Sequence, residues 1–295
     1  MPRPRAPLPR QLSSQPFSTA QALDVGVPPH LMRHRELARP LRGIRVSRDQ
    51  DGLRARLRAY ALHRQRDFAF SHTTAAELFG IPLPGGLSSD IHVSVPDPGR
   101  APEIAGFVGH KLKRWDTAQA QGFPVTTAEQ TWLDLAAMLD FTSLVVAGDY
   151  LVAGRSPLSS RTCLATAASE GGRRRGIARA RLALEYVRPG SESPGESRLR
   201  ILLVRSGLPE PRLNHTIVDT NGGFIARVDL AYQEARIALE YEGDIHRTDQ
   251  SVWRRDIRRR EVVEDLGWRM VRVTADDLRA PDDLLNRVRH LLRTR

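Results

Sequence analysis

A chain of 295 residues with 40% hydrophobic and 27% charged side chains is too long for one small core and suits two or three globular domains. A formal net charge of +11 and a pI near 10.9 point to a polyanionic partner, nucleic acid first, because each phosphate met by an Arg or Lys releases a counterion. One cysteine, Cys163, excludes an intrachain disulfide and a cysteine-built zinc cluster, and the lack of an apolar leader or spanning stretch sets the expectation of a cytoplasmic protein without membrane contact.

Residues 1–14, rich in Arg and Pro, are expected as a disordered tail. Residues 15–48 read as helix, turn, helix. Ser18 or Thr19 caps a helix carrying Ala20, Ala22 and Leu23, Gly26 supplies the turn, and a second helix would hold Leu31, Met32 and Leu37. The segment Pro40 to Val46 follows as a short β-wing. Here the sequence resembles the winged helix at the front of abortive-infection type IV antitoxins of the AbiEi kind. That resemblance implies DNA binding through His30, Arg33, His34 and Arg35, with Arg42 and Arg45 in the wing. A helical hairpin with a solvated basic face is the competing reading of the same residues.

Residues 50–155 read as a mixed α/β domain. A helix forms around Leu53, Leu57, Tyr60 and Ala61, Ile91 to Pro96 alternates as a strand, and Pro124 to Ala136 reads as turn, cap and apolar helix. The longest apolar stretch, Ser143 to Gly154, is interrupted by Asp149 and falls far short of a membrane span. The order SHTTAAELFG, IHVSVP, FPVTTAEQTWLDLA, VVAGDYLV is similar to the domain behind the winged helix in those antitoxins, as a packing signature without catalytic logic. His72 is expected to cap a helix, since no carboxylate or second histidine lies at ligand spacing in the sequence. His92 and His110 read as scaffold or phosphate contacts. Lys111 and Lys113 are the only lysines, so arginine carries nearly all the positive charge, through GC-rich coding or a preference for bidentate phosphate contacts.

Residues 156–190 read as a helical linker with the basic run Arg173-Arg174-Arg175, and Pro189 to Gly195 marks a boundary. Residues 191–295 hold 19 arginines against 18 acids, so the general DNA affinity is expected in the N-terminal half. Ser193 caps a helix through Leu199, Leu202 and Leu203 that stops at Gly207, with Glu196 in its first turn. Leu213 to Val218 and Phe224 to Tyr232 are strands joined by Asn221-Gly222-Gly223, and Arg236 to Glu242 is a third. Alternation places Val228, Leu230 and Tyr232 on one face with Asp229 on the other. It likewise pairs Ile237, Leu239 and Tyr241 and projects Glu240 and Glu242 from the opposite face.

Three strand carboxylates converging with Glu196 repel one another, and an oxygen-ligated divalent cation is the simplest remedy. Such an ion activates water and offsets the charge that develops at phosphorus. The series of helix Glu, then Asp, then Glu-x-acid-Gly with a His three residues on resembles the PD-(D/E)-x-K nucleases, specifically the small domains related to very short patch repair endonucleases. The resemblance spans residues 190–295, including the Arg254-Arg255-Asp256 helix and the Gly267 to Val273 strand. It implies a restriction-endonuclease-like αβββαβ domain. It also implies Asp229 as central ligand of Mg²⁺ or Mn²⁺, Glu240 as second, Glu196 as outer ligand and His246 as general base. The superfamily lysine falls at Glu242, and no lysine follows Lys113 to replace it, which moves proton handling to His246. Arg254, Arg255 and Arg258, with Arg259 and Arg260, are expected to position phosphates.

The sequence thus sets up a multidomain α+β and α/β chain: a tail over 1–14, a winged helix over 15–48, an AbiEi-like domain over 50–155, a linker over 156–190 and an endonuclease-like domain over 191–295. The function expected is DNA binding coupled to metal-dependent phosphodiester hydrolysis. Its rival is a transcriptional regulator or antitoxin with a silent nuclease-like domain, partnered by a cognate toxin or a second copy of itself. RNA as substrate shares the same metal chemistry.

Overall fold

The computed structural model describes residues 9–64, 66–243 and 259–294. The chain divides into two compact units, one formed by residues up to Thr74 with Ser88–Thr126, the other by Ala75–Leu87 with the residues from Thr127 onward. This grouping is coarser than the five segments expected from sequence.

In the first unit, α1 (Arg10–Ser13) precedes β1 (Phe17–Ser18), α2 (Thr19–Asp24), β2 (Leu37–Ala38) and β3 (Ile44–Ser47). The expected tail therefore ends early, and Leu12 is buried with Phe17, Ala22, Val27, Met32 and Leu37. Ser18 caps α2 as foreseen: its Oγ accepts from the Gln21 N–H at 3.0 Å, and its own N–H donates to Gln21 Oε1 at 2.8 Å. The second helix is a correction. Only one 3₁₀ turn, Leu31–Arg33, forms, because His34 turns to an extended conformation and Leu37 enters β2. There Leu37 and Ala38 pair antiparallel with Ser47 and Val46 of β3. Strands β2 and β3 form a β-hairpin that overlaps the segment expected as a wing, and β1 adds to the other side of β3.

A five-stranded sheet completes this unit. Its strands are β4 (Ala69–Phe70), β5 (Ile91–Pro96), β6 (Phe107–Leu112), β7 (Thr117–Ala120) and β8 (Phe123–Thr126), in the order β6-β5-β4-β8-β7. Helix α3 (Leu53–His63) sets the buried Tyr60 ring 5.1 Å from both Phe68 and Phe107. Helix α4 (His72–Phe79) leaves the end of β4 from a residue in the left-handed region, His72, with φ of 53°.

In the second unit, α5 (Ala128–Leu135), α6 (Phe141–Val152), α7 (Arg161–Glu170) and α8 (Ile177–Tyr186) pack around the fully buried Trp132, whose Nε1 donates to the Leu144 carbonyl at 3.0 Å. The segment expected as a linker thus contributes Leu164, Ala168, Ala180 and Ala183 to a core. Helix α9 (Pro194–Arg205) follows, then β9 (Arg212–Val218), β10 (Phe224–Tyr232), β11 (Ile237–Tyr241), helical residues 259–265 (α10), β12 (Arg269–Val273), α11 (Ala275–Arg279) and α12 (Asp282–Arg293). The sheet order is β12-β11-β10-β9, antiparallel except for the parallel β11–β12 pair. Helix, three strands, helix and strand follow one another as the sequence predicts, in a mixed α/β architecture.

One face of this sheet, with Leu230, Leu239 and Val271, packs on Leu199 and Leu203 of α9 and Leu284 and Val288 of α12. The other, with Ala231, Ala238 and Met270, packs on Val263 and Trp268. Val228 was expected beside Leu230 and Tyr232, and is found in the second core with Ala226 instead. The alternation breaks at Asp229. Its neighbour on β9 explains why: between Leu213 and His215, which oppose Leu230 and Val228, lies Asn214 with a left-handed φ of 48°. Ile217 accordingly belongs to the Val228 core and Leu213 to the other.

Helix α9 is tied to α6 by a buried ion pair. Arg200 Nη2 donates to Asp149 Oδ2 at 2.8 Å, and both side chains are 1% exposed. Asp149 also accepts from the Arg188 N–H at 2.8 Å and the Ser197 hydroxyl at 2.7 Å, while Arg200 reaches the Tyr186 carbonyl at 2.7 Å and Glu210 at 3.1 Å. Arg200→Met leaves Asp149 uncompensated and should lower stability by about 3–5 kcal/mol, read from the urea midpoint. The double variant Asp149→Leu/Arg200→Met should recover most of that loss.

Candidate functional site

Glu196 stands in the first turn of α9. Ser193 caps that helix, accepting from the Glu196 N–H at 3.2 Å, and Glu196 Oε2 accepts from the Glu192 N–H at 2.8 Å. The residue before it, Gly195, has no substitute: a Cβ there would sit 2.1 Å from the Tyr241 ring of β11. The glycine lets the helix start lie on the strand that carries Glu240.

Asp229 sits at the break in β10. The Tyr241 N–H, just past the last paired residues of β10 and β11, donates to its Oδ2 at 2.8 Å. Burial, first, and then the neighbouring Glu240 and Glu192 push its carboxyl above the usual 3.8, while the Tyr241 N–H and Arg259 pull it back. Glu196 is likewise raised above 4.5, by burial first and then by Asp229 and Glu192. Asp229 thus feels Glu240 and Glu192, and Glu196 feels Asp229 and Glu192. Glu240 ion-pairs with Arg259 of α10, and Glu242 with Arg272 Nε at 3.1 Å. The sequence reading missed Glu192, which pairs with Arg227 at 2.5 Å. It lay in a stretch read only as a boundary. His246, Arg254, Arg255 and Arg258 lie outside the described residues.

Of the N-terminal arginines, Arg33, Arg35 and Arg42 are exposed. Arg45 is half-buried: its Nε donates to the Met32 carbonyl at 2.8 Å and its Nη1 to the Ile44 carbonyl at 2.9 Å, bracing the 3₁₀ turn against β3. Burial and the nearby Arg39 lower its pKa.

His72 stands at the first residue of α4, at the helix start where it was expected, and other histidines meet it there. His72 stacks on His110 with ring centroids 3.8 Å apart, and His92 Nδ1 lies 2.9 Å from His110 Nε2. Their ligand atoms fall within 4.8 Å of one another, and this trio is the group of three or more potential metal ligands found at that spacing among the described residues. The histidines are 18 to 38 residues apart on separate elements, so no local spacing reveals them.

The described residues thus define a mixed α/β protein of two units, with coupled carboxylates on the second unit's sheet and an imidazole cluster in the first. No family model matches the chain. Over 280 residues it is 30% identical to "Uncharacterized protein Rv2248" of Mycobacterium tuberculosis strain H37Rv and to "Uncharacterized protein MT2308" of strain CDC 1551, with 94% of this chain and 98% of each relative covered. The chain belongs to the family of these proteins. Among solved structures, the RV2827C protein from Mycobacterium tuberculosis is 16% identical with a TM-score of 0.43, covering 70% of this chain and 84% of that one. No helix among the described residues is long and apolar enough to cross a membrane.

The raised Asp229 carboxyl has a consequence for stability. The native state keeps a proton that the unfolded chain gives up near its ordinary 3.8, so stability is lost as pH rises through the raised native value. Asp229→Asn keeps an acceptor for the Tyr241 N–H and removes the charge. Its melting temperature should exceed the wild type's by about 3 °C at pH 7 and match it near pH 3, measured by scanning calorimetry without added divalent ions.

Proposed function

We propose that the chain is a DNA-binding protein whose C-terminal αβββαβ unit hydrolyses phosphodiester bonds with a divalent metal. The observation that carries this reading is the convergence of Glu196 from a helix with Asp229 and Glu240 from two strands, where burial first and neighbouring acids second raise the Glu196 and Asp229 carboxyls. An oxygen-only donor set of acids suits a hard cation, Mg²⁺ or Mn²⁺, with Asp229 and Glu240 as ligands and Glu196 further out. Such an ion, when bound, supplies Lewis-acid stabilisation of the charge that develops at phosphorus. Asp229 is aimed by the Tyr241 N–H, and Glu196 is held by the turn that begins α9. Arg259 stands beside Glu240 at the edge of the acidic group. Its guanidinium serves to position a phosphate, and the role of base goes to His246. We assign phosphate contacts to Arg254, Arg255 and Arg258 as well.

A second reading rests on the same arginines. Glu240 and Glu242 are already neutralised by Arg259 and Arg272, as expected of a regulator or antitoxin whose nuclease-like unit binds without cutting. Cleavage of plasmid, nicked and mismatched DNA with Mg²⁺ or Mn²⁺ separates the two, with RNA offered in parallel. Asp229→Ala should lower the rate at least about a hundredfold. Equal traces from variant and wild type at high enzyme would leave only the regulator.

DNA affinity is placed on the exposed Arg33, Arg35 and Arg42 of the first unit. Reversing each to Glu should weaken binding similarly across sequences, and should lower the slope of log affinity against log salt by about 0.9 per lost phosphate contact. An unchanged slope would place the DNA surface elsewhere.

A further inference from the structure

We infer that His72, His92 and His110 form a transition-metal site in the first unit, taking one ion of the Zn²⁺ class through three imidazole nitrogens. Their contact begins with the sheet. His92 on β5 pairs in register with Val108 on the parallel strand β6, and His110 follows two residues later on the same face. The Ser71 N–H donates to the His92 carbonyl at 3.0 Å, so the chain leaving β4 delivers the next residue, His72, to that face. The three rings lie nearly parallel, with interplanar angles of 11° to 18° and centroids 3.8 to 5.2 Å apart.

The surroundings fix these rings. The His92 N–H donates to Thr74 Oγ1 at 2.9 Å, and the His92 side chain is buried. His72 Nδ1 lies 3.0 Å from Ser71 Oγ. When the ring donates through Nδ1, its lone pair is on Nε2, the arrangement by which an outer hydrogen bond orients a ligating histidine. His72 also adopts a φ of 53°, a conformation that costs a non-glycine residue free energy and persists where surrounding structure imposes it.

Three neutral nitrogen donors without a thiolate or carboxylate select a borderline ion such as Zn²⁺, Co²⁺ or Ni²⁺ over Mg²⁺. Zn–N bonds of about 2.0–2.1 Å place tetrahedral ligand atoms about 3.4 Å apart. The present separations, 2.9 Å for one pair and within 4.8 Å for all, bracket that value, and the stacked rings turn about their side-chain bonds to converge their lone pairs on the ion. A three-histidine set keeps a fourth position for water or a substrate atom. Proton balance follows from the His92–His110 contact. At 2.9 Å one ring nitrogen donates and the other accepts, so for both to ligate, that hydrogen moves through solvent to the far nitrogen of its ring, with no net release at neutral pH. In acid each imidazolium must shed one proton before it can ligate, so affinity falls as pH drops.

The test uses the full chain stripped with a chelator, then titrated with Zn²⁺ against a chromophoric competitor and with Co²⁺ by visible absorption. Wild type should bind one Zn²⁺ more weakly at pH 5.5 than at pH 7.5, and Co²⁺ should give a tetrahedral spectrum. His72→Asn, which tolerates the left-handed backbone, and His110→Gln should each weaken binding at least about tenfold with circular dichroism unchanged. Asp229→Asn should leave it unaltered, which keeps this outcome independent of the phosphodiesterase reading. Zn²⁺ bound equally by wild type and both folded variants would assign it to other histidines and overturn the site, as would no Zn²⁺ binding by wild type.

Discussion

The pairing of Asp149 with Arg200 is the interaction on which the second unit depends. An ion pair removed from water stabilises a fold only when further hydrogen bonds support its charged groups. Here the carboxylate takes donors from Arg188, Ser197 and Arg200, and the guanidinium adds Tyr186 and Glu210 through its Nη atoms, while its buried Nε has no partner among the described residues. That network fixes the rotation of α9 about its axis. Leu199 and Leu203 then meet the sheet, Gly195 meets Tyr241, and Glu196 arrives beside Asp229. A polar contact inside a helical core thus sets the position of a helix acid against a neighbouring sheet.

Around those acids, two means of neutralisation compete. Arginines hold Glu240, Glu242 and Glu192, while Asp229 and Glu196 stay high in pKa, with a single N–H or a helix turn for support. A hard cation and a phosphate would rearrange that balance. The imidazole trio of the first unit presents the opposite chemistry, nitrogen donors without charge, so the two proposed metals should be separable by preference alone.

Much of the C-terminal unit was legible because its signals are local. Ser193 caps, Asn221-Gly222-Gly223 turns, and period-two patterning exposes Glu240 and Glu242. What the sequence concealed is non-local. The second N-terminal helix was overridden when Leu37 found strand partners in Ser47 and Val46. Arg45, read as a wing residue, also meets a carbonyl from the 3₁₀ turn. Asp149, seen only as an interruption of an apolar run, needed Arg200 to make sense of it. His72 was dismissed for want of a second histidine, and its partners came from β5 and β6.

The break in alternation at Asp229 also bears on how the sheet finds its pairing. A regular strand that slips by one residue exchanges its two faces, and slips by two residues preserve the pattern. Strands β9 and β10 change face together at Asn214 and Asp229, with different cores on either side. A slip by either amount would set one strand's crossover against a regular stretch of the other and bring a carboxylate or an amide against apolar side chains. The irregularity that holds the central acid is therefore also a register lock, and a folding intermediate with the wrong alignment would be penalised at this one position.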